Sequence, residues 1–331
     1  MQIADYLVLN PRAKFINFTT KILTSDAASE DPVNATNVEL SNLQFPALPQ
    51  VALQILQLSI NKDHSAKELA ELVAQDPVMQ QQVTLYTQLP FIQEKLQASI
   101  QPQDANLQEV VEHILGFEMV SHIALGVAAG RVFNQERIHD LEDFWRHAFF
   151  AAIYAERISE LVAERLEVDP AISYLAGLFH NFGLLLICQM FPPEYSLLKK
   201  WLALNPKVSI SVLEKRLLGM GQAMDVLRGG HAQLGEWLLR SWQMPESICV
   251  ITKEHHSLTY KGKYAHYVRI IQLTNQLLRV EGIGDGTIGG VTPQLLESLG
   301  LTEQEIYQAI EPIKANAAGL EKMARTLTKS K

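Results

Sequence analysis

Residues 174–187 have the sequence YLAGLFHNFGLLLI, an apolar run that contains His180. Pro170 stands four residues before this run, and proline is favoured in the first turn of a helix. Leu175 and Phe179 are four residues apart, so they share one face of that helix. The stretch therefore predicts a buried helix that begins near Pro170 and brings a histidine to its end.

The same helical pattern covers most of the chain. Ser65 precedes Glu68 by three residues, as in a capping box, and Asp76 precedes Pro77 as an N-cap precedes proline at the first helical position. Further predicted helices cover about 117–132, Asp143–Leu166, Pro193–Leu204, His231–Trp242 and Lys263–Val280, with two more after Thr292. No segment alternates apolar and polar residues convincingly, so the predicted fold class is all-α.

Composition excludes several classes of protein. The 331 residues are 47% hydrophobic and carry a formal net charge of −8, which disfavours a general nucleic-acid binder. No run approaches the roughly 18 apolar residues of a membrane span, and no secretion signal is visible. We therefore expect a cytoplasmic protein with no membrane association. Cys188 and Cys249 lie in apolar surroundings and are predicted to be buried thiols.

Five of the ten histidines form the most informative pattern: His147, His180, His231, His255 and His256. They lie on separate predicted helices, and a helical bundle can direct such groups towards one site. Imidazole suits Fe, Zn or Ni, whereas hydrolytic metal sites usually have carboxylate ligands as well. The alternative interpretation is a set of histidines packed in a helical core and hydrogen-bonded within it.

Seven motifs follow one another along the chain. They are FPALPQVALQIL (45–56), SAKELAELVAQDP (65–77), LQEVVEHILGFEMVSHIAL (107–125), FWRHAFFAAIYAERI (144–158), YLAGLFHNFGLLLI (174–187), HAQLGEWLLRSWQMPESICVITKEHH (231–256) and YVRIIQLTNQLL (267–278). In this order they resemble the HDOD family, a branch of the HD metal-dependent phosphohydrolase superfamily. The segment 84–91 (TLYTQLPF) departs from the Asn-Ser pair usual in that family.

The resemblance implies a multi-helix HD-type domain and assigns the five histidines to positions of metal ligands. Asn181 stands where the His–Asp doublet of the superfamily has its Asp, and Asn275 stands where a later Asp ligand is expected. Both departures replace a carboxylate by a neutral amide. The predicted vestigial metal site therefore comprises His147, His180, Asn181, His231, His255, His256 and Asn275.

The predicted organisation has three parts. Residues 1–44 form an N-terminal segment and linker, and residues 45–280 form the helical domain, with lobes at about 45–135 and 140–280. Residues 281–331 add a Gly-rich connector (281–290) and C-terminal helices that could dock a partner.

Two functions remain open. The favoured one is a non-catalytic signal transduction or regulatory protein that acts through a signalling protein partner or a small-molecule ligand. The alternative is a metal-dependent phosphohydrolase or phosphodiesterase that acts on a nucleotide or cyclic dinucleotide. Because Asn181 and Asn275 replace carboxylates, an enzyme is the less favoured choice and no cofactor is expected, although a divalent ion (Fe, Mn, Zn or Ni) remains the alternative.

Overall fold

A computed structural model of the chain describes residues 45–60, 65–95, 105–133, 141–217, 227, 229–284 and 290–329. The predicted N-terminal segment and linker, residues 1–44, lie outside the described residues. Every regular element in the described residues is helical and none is a strand, so the all-α prediction is confirmed.

The helices are numbered here in chain order. They are α1 (Gln50–Ile60), α2 (Ala66–Ala74), α3 (Pro77–Thr87), α4 (Pro90–Lys95), α5 (Leu107–Glu109), α6 (Phe117–Gly130), α7 (Leu141–Leu166), α8 (Pro170–Phe179), α9 (Phe182–Met190), α10 (Pro192–Leu204), α11 (Ile210–Leu217), α12 (Gly230–Ser241), α13 (Glu246–Glu254), α14 (Ala265–Val280), α15 (Pro293–Leu299), α16 (Glu303–Ala315) and α17 (Ala317–Lys329).

Helix α7 is the centre of the fold. It is 26 residues long and packs against α8, α14 and α17. One apolar stripe of this helix is buried, as expected for an amphipathic helix that faces the core. The stripe comprises Phe144, Ala148, Ala151, Ala155, Ile158 and Val162.

The predicted helix starts are largely confirmed. Asp76 Oδ1 accepts the backbone N–H groups of Val78 at 2.9 Å and Met79 at 3.2 Å, and the same carboxylate pairs with Arg131, which follows the last residue of α6. One acidic side chain thus caps α3 and ties it to the neighbouring helix. Gly116 follows a π-helical turn (Val110–Ile114) with φ +83°, a conformation that glycine adopts without strain.

The expectation that no run approaches the length of a membrane span is wrong for Pro170–Met190, which is long and apolar enough by length and composition. However, 89% of its window is buried inside the fold. It is also not one helix, because it turns at His180 and Asn181 between α8 and α9. These properties are those of a core element. The turn directs His180 towards the neighbouring helices instead of continuing the apolar face.

Two glycines allow the helices around this turn to pack closely. A Cβ atom at Gly177 would lie 2.5 Å from the carbonyl oxygen of Ala151 on α7, and one at Gly183 would overlap the carbonyl oxygen of His231 on α12. Backbone therefore contacts backbone at both crossings. This contact brings the ends of α8, α9 and α12 together around His180.

The C-terminal helices share this core. Leu320, Met323 and Leu327 of α17 are buried, and α17 packs against α3 and α7. The side chain of Gln82 donates a hydrogen bond to the carbonyl of Met323 at 2.9 Å. The apolar face of α17 is therefore covered by both predicted lobes.

Candidate metal centre

The five predicted histidines meet between α7, α8, α12 and α13. His147 comes from the middle of α7, His180 follows α8, His231 lies in the first turn of α12, and His255 and His256 follow α13. Consecutive ring centroids are 5.4 Å apart for His147–His180, 5.0 Å for His180–His255, 4.0 Å for His255–His256 and 5.0 Å for His256–His231. The structure thus brings together all five histidines that the sequence indicated.

Three of them present nitrogens to a common point. The ligand atoms of His231, His255 and His256 lie within 4.8 Å of one another. His231 Nε2 is 3.2 Å from Nε2 of His255 and 3.2 Å from Nε2 of His256. On the other side of the cluster, His180 Nε2 lies 3.4 Å from His147 Nε2.

In His180 and His255, the hydrogen bond made by Nδ1 determines that Nε2, which faces the cluster, has a lone pair. His180 Nδ1 donates to the carbonyl of Gly177 at 2.7 Å, and His255 Nδ1 donates to the carbonyl of Thr252 at 2.6 Å. In a neutral imidazole with its proton on Nδ1, Nε2 is an acceptor. His180 and His255 therefore direct Nε2 lone pairs into the cluster, as metal-bound histidines do when a second-shell group holds the other nitrogen.

Burial keeps these imidazoles neutral. Loss of hydration lowers the pKa of His180 to about 3, with a further decrease from the nearby His147. Burial likewise holds the pKa values of His255 and His256 well below the usual range, and neighbouring histidines lower them further. Near neutral pH His180, His255 and His256 are therefore uncharged nitrogen donors, the form that a metal ion requires.

The sequence analysis missed a carboxylate, Glu214. It lies on α11, its side chain is 3% exposed, and its Oε1 accepts the Nδ1–H of His231 at 2.8 Å and the backbone N–H of His231 at 3.1 Å. A carboxylate behind a metal-binding histidine orients the ring and raises its basicity. One feature of the sequence could have indicated that Glu214 faces inward. It is four residues after the apolar Ile210, so the two share a helical face.

Both asparagines lie at the site, and the side-chain oxygen of each accepts no hydrogen bond from the described residues. Asn181 Oδ1 and Asn275 Oδ1 are buried and lack a donor among the described residues. Burial lowers the pKa of His180, and a smaller opposing effect of the nearby Asn275 side chain raises it. The site therefore has amide oxygens at the positions where the resemblance implies carboxylates.

A cavity of about 180 Å³ adjoins the histidines. His147 and Asn181 line it, and α10 and α11 form its opposite wall. Those two helices, here called the helical hairpin (Pro192–Leu217), pack against Leu184 of α9. The four residues of this small apolar cluster, which is separate from the main core, are Leu184, Leu198, Ile210 and Leu213. Residues Gly282–Gly284 of the predicted Gly-rich connector also line the cavity; residues 285–289 lie outside the described residues.

Other sequence candidates lie elsewhere. Glu254, which precedes the two adjacent histidines, does not belong to the described group of converging ligand atoms. Cys188 and Cys249 are buried free thiols, as predicted.

Replacing Glu214 tests its role behind His231. Glu214→Gln retains the shape but removes the charge, so we expect the affinity for Zn²⁺ to fall roughly 10- to 100-fold. Competition against a fluorescent chelator would measure the change. Glu236→Gln is the matched control, because Glu236 is a buried carboxylate on α12 that contacts Gln233, Arg240 and Lys253. Equal zinc affinity in both variants would contradict a role for Glu214.

Comparison with known proteins gives several matches. An uncharacterized protein of Treponema pallidum (strain Nichols) is 23% identical over 239 residues, which cover 71% of this chain and 42% of that protein. The chain therefore spans less than half the length of this relative.

Solved structures share the fold. A protein of Marinobacter aquaeolei VT8, named for signal transduction, matches with a TM-score of 0.71 and 25% identity, covering 97% of this chain and 67% of that one. A protein of Shewanella amazonensis SB2B, named as a phosphohydrolase, matches with a TM-score of 0.63 and 21% identity over 89% of this chain and 98% of that one. An HDOD domain protein of unknown function from Geobacter sulfurreducens has a TM-score of 0.61 and 20% identity, with coverage of 86% and 94%.

The HDOD domain profile matches residues 45–258, well over half of the chain. All five clustered histidines lie within this range. The chain belongs to the HDOD domain family.

Proposed function

We propose that this protein is a regulatory HDOD module whose histidine cluster binds a divalent metal ion without hydrolysing a phosphoester. Its output would pass through a protein partner or a small-molecule ligand. The net charge of −8 supports the expectation that nucleic acid is not the partner, and a cytoplasmic location remains our expectation.

One observation carries the metal part of the proposal. His255 Nε2 has a lone pair, and its hydrogen-bonding contact among the described residues is Nε2 of His231, whose Nδ1 already donates to Glu214. When both Nδ1 atoms carry the ring protons, the two Nε2 atoms are acceptors 3.2 Å apart, and they repel each other unless a proton or a metal cation lies between them. The residues thus fit a metal ion, which His231, His255 and His256 would hold; bound there, the ion would supply Lewis acidity.

The lack of a carboxylate facing the histidine nitrogens, among the described residues, supports a site that does not hydrolyse phosphoesters. Asn181 and Asn275 offer neutral oxygens, which neither bridge two metal ions nor accept a proton from water as a carboxylate does. Glu214, the carboxylate that hydrogen-bonds the cluster, lies behind His231 and accepts two of its N–H groups. No general base is therefore evident beside the histidine nitrogens in the described part of the site.

A phosphohydrolase is the second candidate, and the three converging histidines favour it. Three histidines are enough to hold a zinc ion that lowers the pKa of bound water to roughly 7 in some enzymes. Both the regulatory module and the phosphohydrolase would bind the ion, so only phosphoester hydrolysis distinguishes them.

The test combines metal content with activity. The purified full chain is loaded with Zn²⁺ or Mn²⁺, its metal content is measured by ICP mass spectrometry, and hydrolysis of bis(4-nitrophenyl) phosphate and of a cyclic dinucleotide is followed. We expect about one ion per chain and no turnover above the free-metal background. Asn181→Asp is expected to bind the ion more tightly, because it restores a carboxylate at the doublet position.

Two results would reject the proposal. Turnover that disappears in His255→Ala would establish the hydrolase instead. Metal content no higher than in a variant that lacks His231 and His255 would reject the metal site itself.

A further inference from the structure

The loop between α13 and α14 combines exposed cations with an exposed apolar side chain. This segment, here called the 257–264 loop, has the sequence SLTYKGKY and directly follows His255 and His256. Leu258 is 89% exposed, more than any other large apolar side chain that the structure describes. A single exposed leucine is common on protein surfaces and does not by itself indicate a binding site. The neighbouring residues distinguish this leucine from an isolated one.

The ammonium groups of the loop have no acidic partner. Lys261 and Lys263 are exposed, and neither forms an ion pair with a described residue. Lys263 Nζ lies 5.3 Å from the ring centroid of Tyr264. The sequence from 255 to 280 contains four Lys or Arg residues and no Asp or Glu, so this segment does not neutralise the loop, although the whole chain has a net charge of −8.

Contacts with the core hold the loop at both ends. Tyr260 and Tyr264 are half-buried and pack against the main core. Gln272 of α14 donates a hydrogen bond to the carbonyl of Ser257 at 2.9 Å, and the backbone N–H of Ser257 donates to the carbonyl of Glu254 at 2.7 Å. A loop that is already fixed loses little conformational entropy when a partner binds.

These features specify the chemistry of a partner. Tyrosine is enriched at protein interfaces, because its ring offers apolar area together with a hydroxyl group. The hydroxyl groups of Tyr260 and Tyr264 form no hydrogen bond with the part of the chain that the structure describes. The two lysines favour carboxylates, whereas Leu258 favours an apolar side chain.

The spacing of these groups suits a short extended segment. Leu258 and Lys263 are five residues apart, so their Cα atoms are at most about 18 Å apart. An extended segment of about six residues spans that distance at roughly 3.3 Å per residue. A nucleic acid would need a longer row of cations than two exposed lysines on a chain whose net charge is negative.

We propose that the 257–264 loop docks an acidic segment of a signalling protein partner, with carboxylates facing Lys261 and Lys263 and an apolar side chain packed on Leu258. The proposal rests on the regulatory function proposed above and names the chemistry of its protein partner. Because the loop follows His255 and His256 directly, a docked segment would lie beside the histidine cluster. The loop residues do not hold the ion, so peptide binding and ion binding can fail separately.

The experiment selects a displayed library of random peptides on the immobilised full chain without added metal. Peptides of about 12 residues are twice as long as the segment that spans the loop. Enriched peptides are labelled and titrated by fluorescence anisotropy. We expect an excess of Asp and Glu, at least one apolar residue, and dissociation constants of about 100 μM or below. Affinity should fall between roughly 50 and 500 mM salt, because exposed charges are screened.

Variants locate the binding. Leu258→Ser should weaken it about tenfold by removing the apolar contact, and Lys261→Glu should weaken it by replacing attraction with repulsion. Leu204→Ser and Lys67→Glu are the matched controls, because Leu204 is 73% exposed at the end of α10 and Lys67 is an exposed lysine of α2. All four positions are exposed, so thermal unfolding should show stability close to that of the wild type.

Four outcomes would overturn the inference. They are the failure to enrich any peptide whose binding Leu258→Ser weakens, enriched peptides without an acidic excess, and unchanged affinity in Lys261→Glu. The fourth is tighter binding of a single-stranded oligonucleotide or of phosphatidylserine vesicles that both loop variants weaken, which would assign the loop to another class of partner. Zinc binding without peptide binding would leave the proposed metal site intact, whereas peptide binding without zinc binding would reject the metal site alone.

Discussion

Replacing His255 with alanine is expected to abolish the stabilisation that Zn²⁺ gives to the wild-type protein. A ligand present at about 100 times its dissociation constant stabilises the folded state by roughly 2.7 kcal/mol. His255 supplies one of three converging nitrogens, and its Nδ1 is already fixed by the carbonyl of Thr252 at 2.6 Å. Without it, two histidines remain at this point, too few for a stable tetrahedral site.

Thermal unfolding with and without Zn²⁺ measures this loss, and ICP mass spectrometry checks the metal content. His113→Ala is the matched control, since His113 is exposed and pairs with its neighbour Glu112. We expect the zinc-dependent shift to persist in that variant. A full shift in His255→Ala would show that zinc acts at another site.

Gly183→Ala is expected to destabilise the fold by about 3 kcal/mol, at the upper end of the range for overpacking. A methyl group at 183 would overlap the carbonyl oxygen of His231 and lie 2.8 Å from the backbone nitrogen of Gly235. Both atoms belong to the backbone of α12, so no side-chain rotation relieves the overlap. The better helix propensity of alanine offsets only about 1 kcal/mol of this cost.

Chemical denaturation measures the free energy of unfolding, and zinc titration measures the site. We expect a weaker site as well as a lower stability, because separating α9 from α12 moves His180 away from His231. Gly290→Ala is the control, since a Cβ atom there meets nothing within 4 Å. Wild-type stability and zinc affinity in Gly183→Ala would contradict the close backbone contact.

The fold was accessible from sequence because its information is largely local. The Ser65–Glu68 and Asp76–Pro77 signals give helix starts that depend on neighbours two or three residues away. The buried stripe of α7 follows from periodicity alone. Helix α11 was not predicted, because it is only eight residues long and part of its face is charged.

The site was accessible only in part, because its geometry depends on distant contacts. The histidines could be chosen from their positions and from the family resemblance, but neither states that His255 Nε2 faces His231 Nε2. Glu214 is 17 residues from His231, and nothing in that spacing indicates a hydrogen bond. The cavity similarly depends on how the helical hairpin lies against α7, which no local pattern encodes.

The helical hairpin has a consequence for the dynamics of the protein. Its apolar cluster is small and separate from the main core, so it can open locally at a lower free energy than global unfolding requires. Such an opening would carry Glu214 away from His231 and expose the cavity. Ion binding and hairpin opening are then thermodynamically linked. A stronger Glu214–His231 hydrogen bond slows amide hydrogen exchange in the hairpin. A change that opens the hairpin lowers the affinity for the ion.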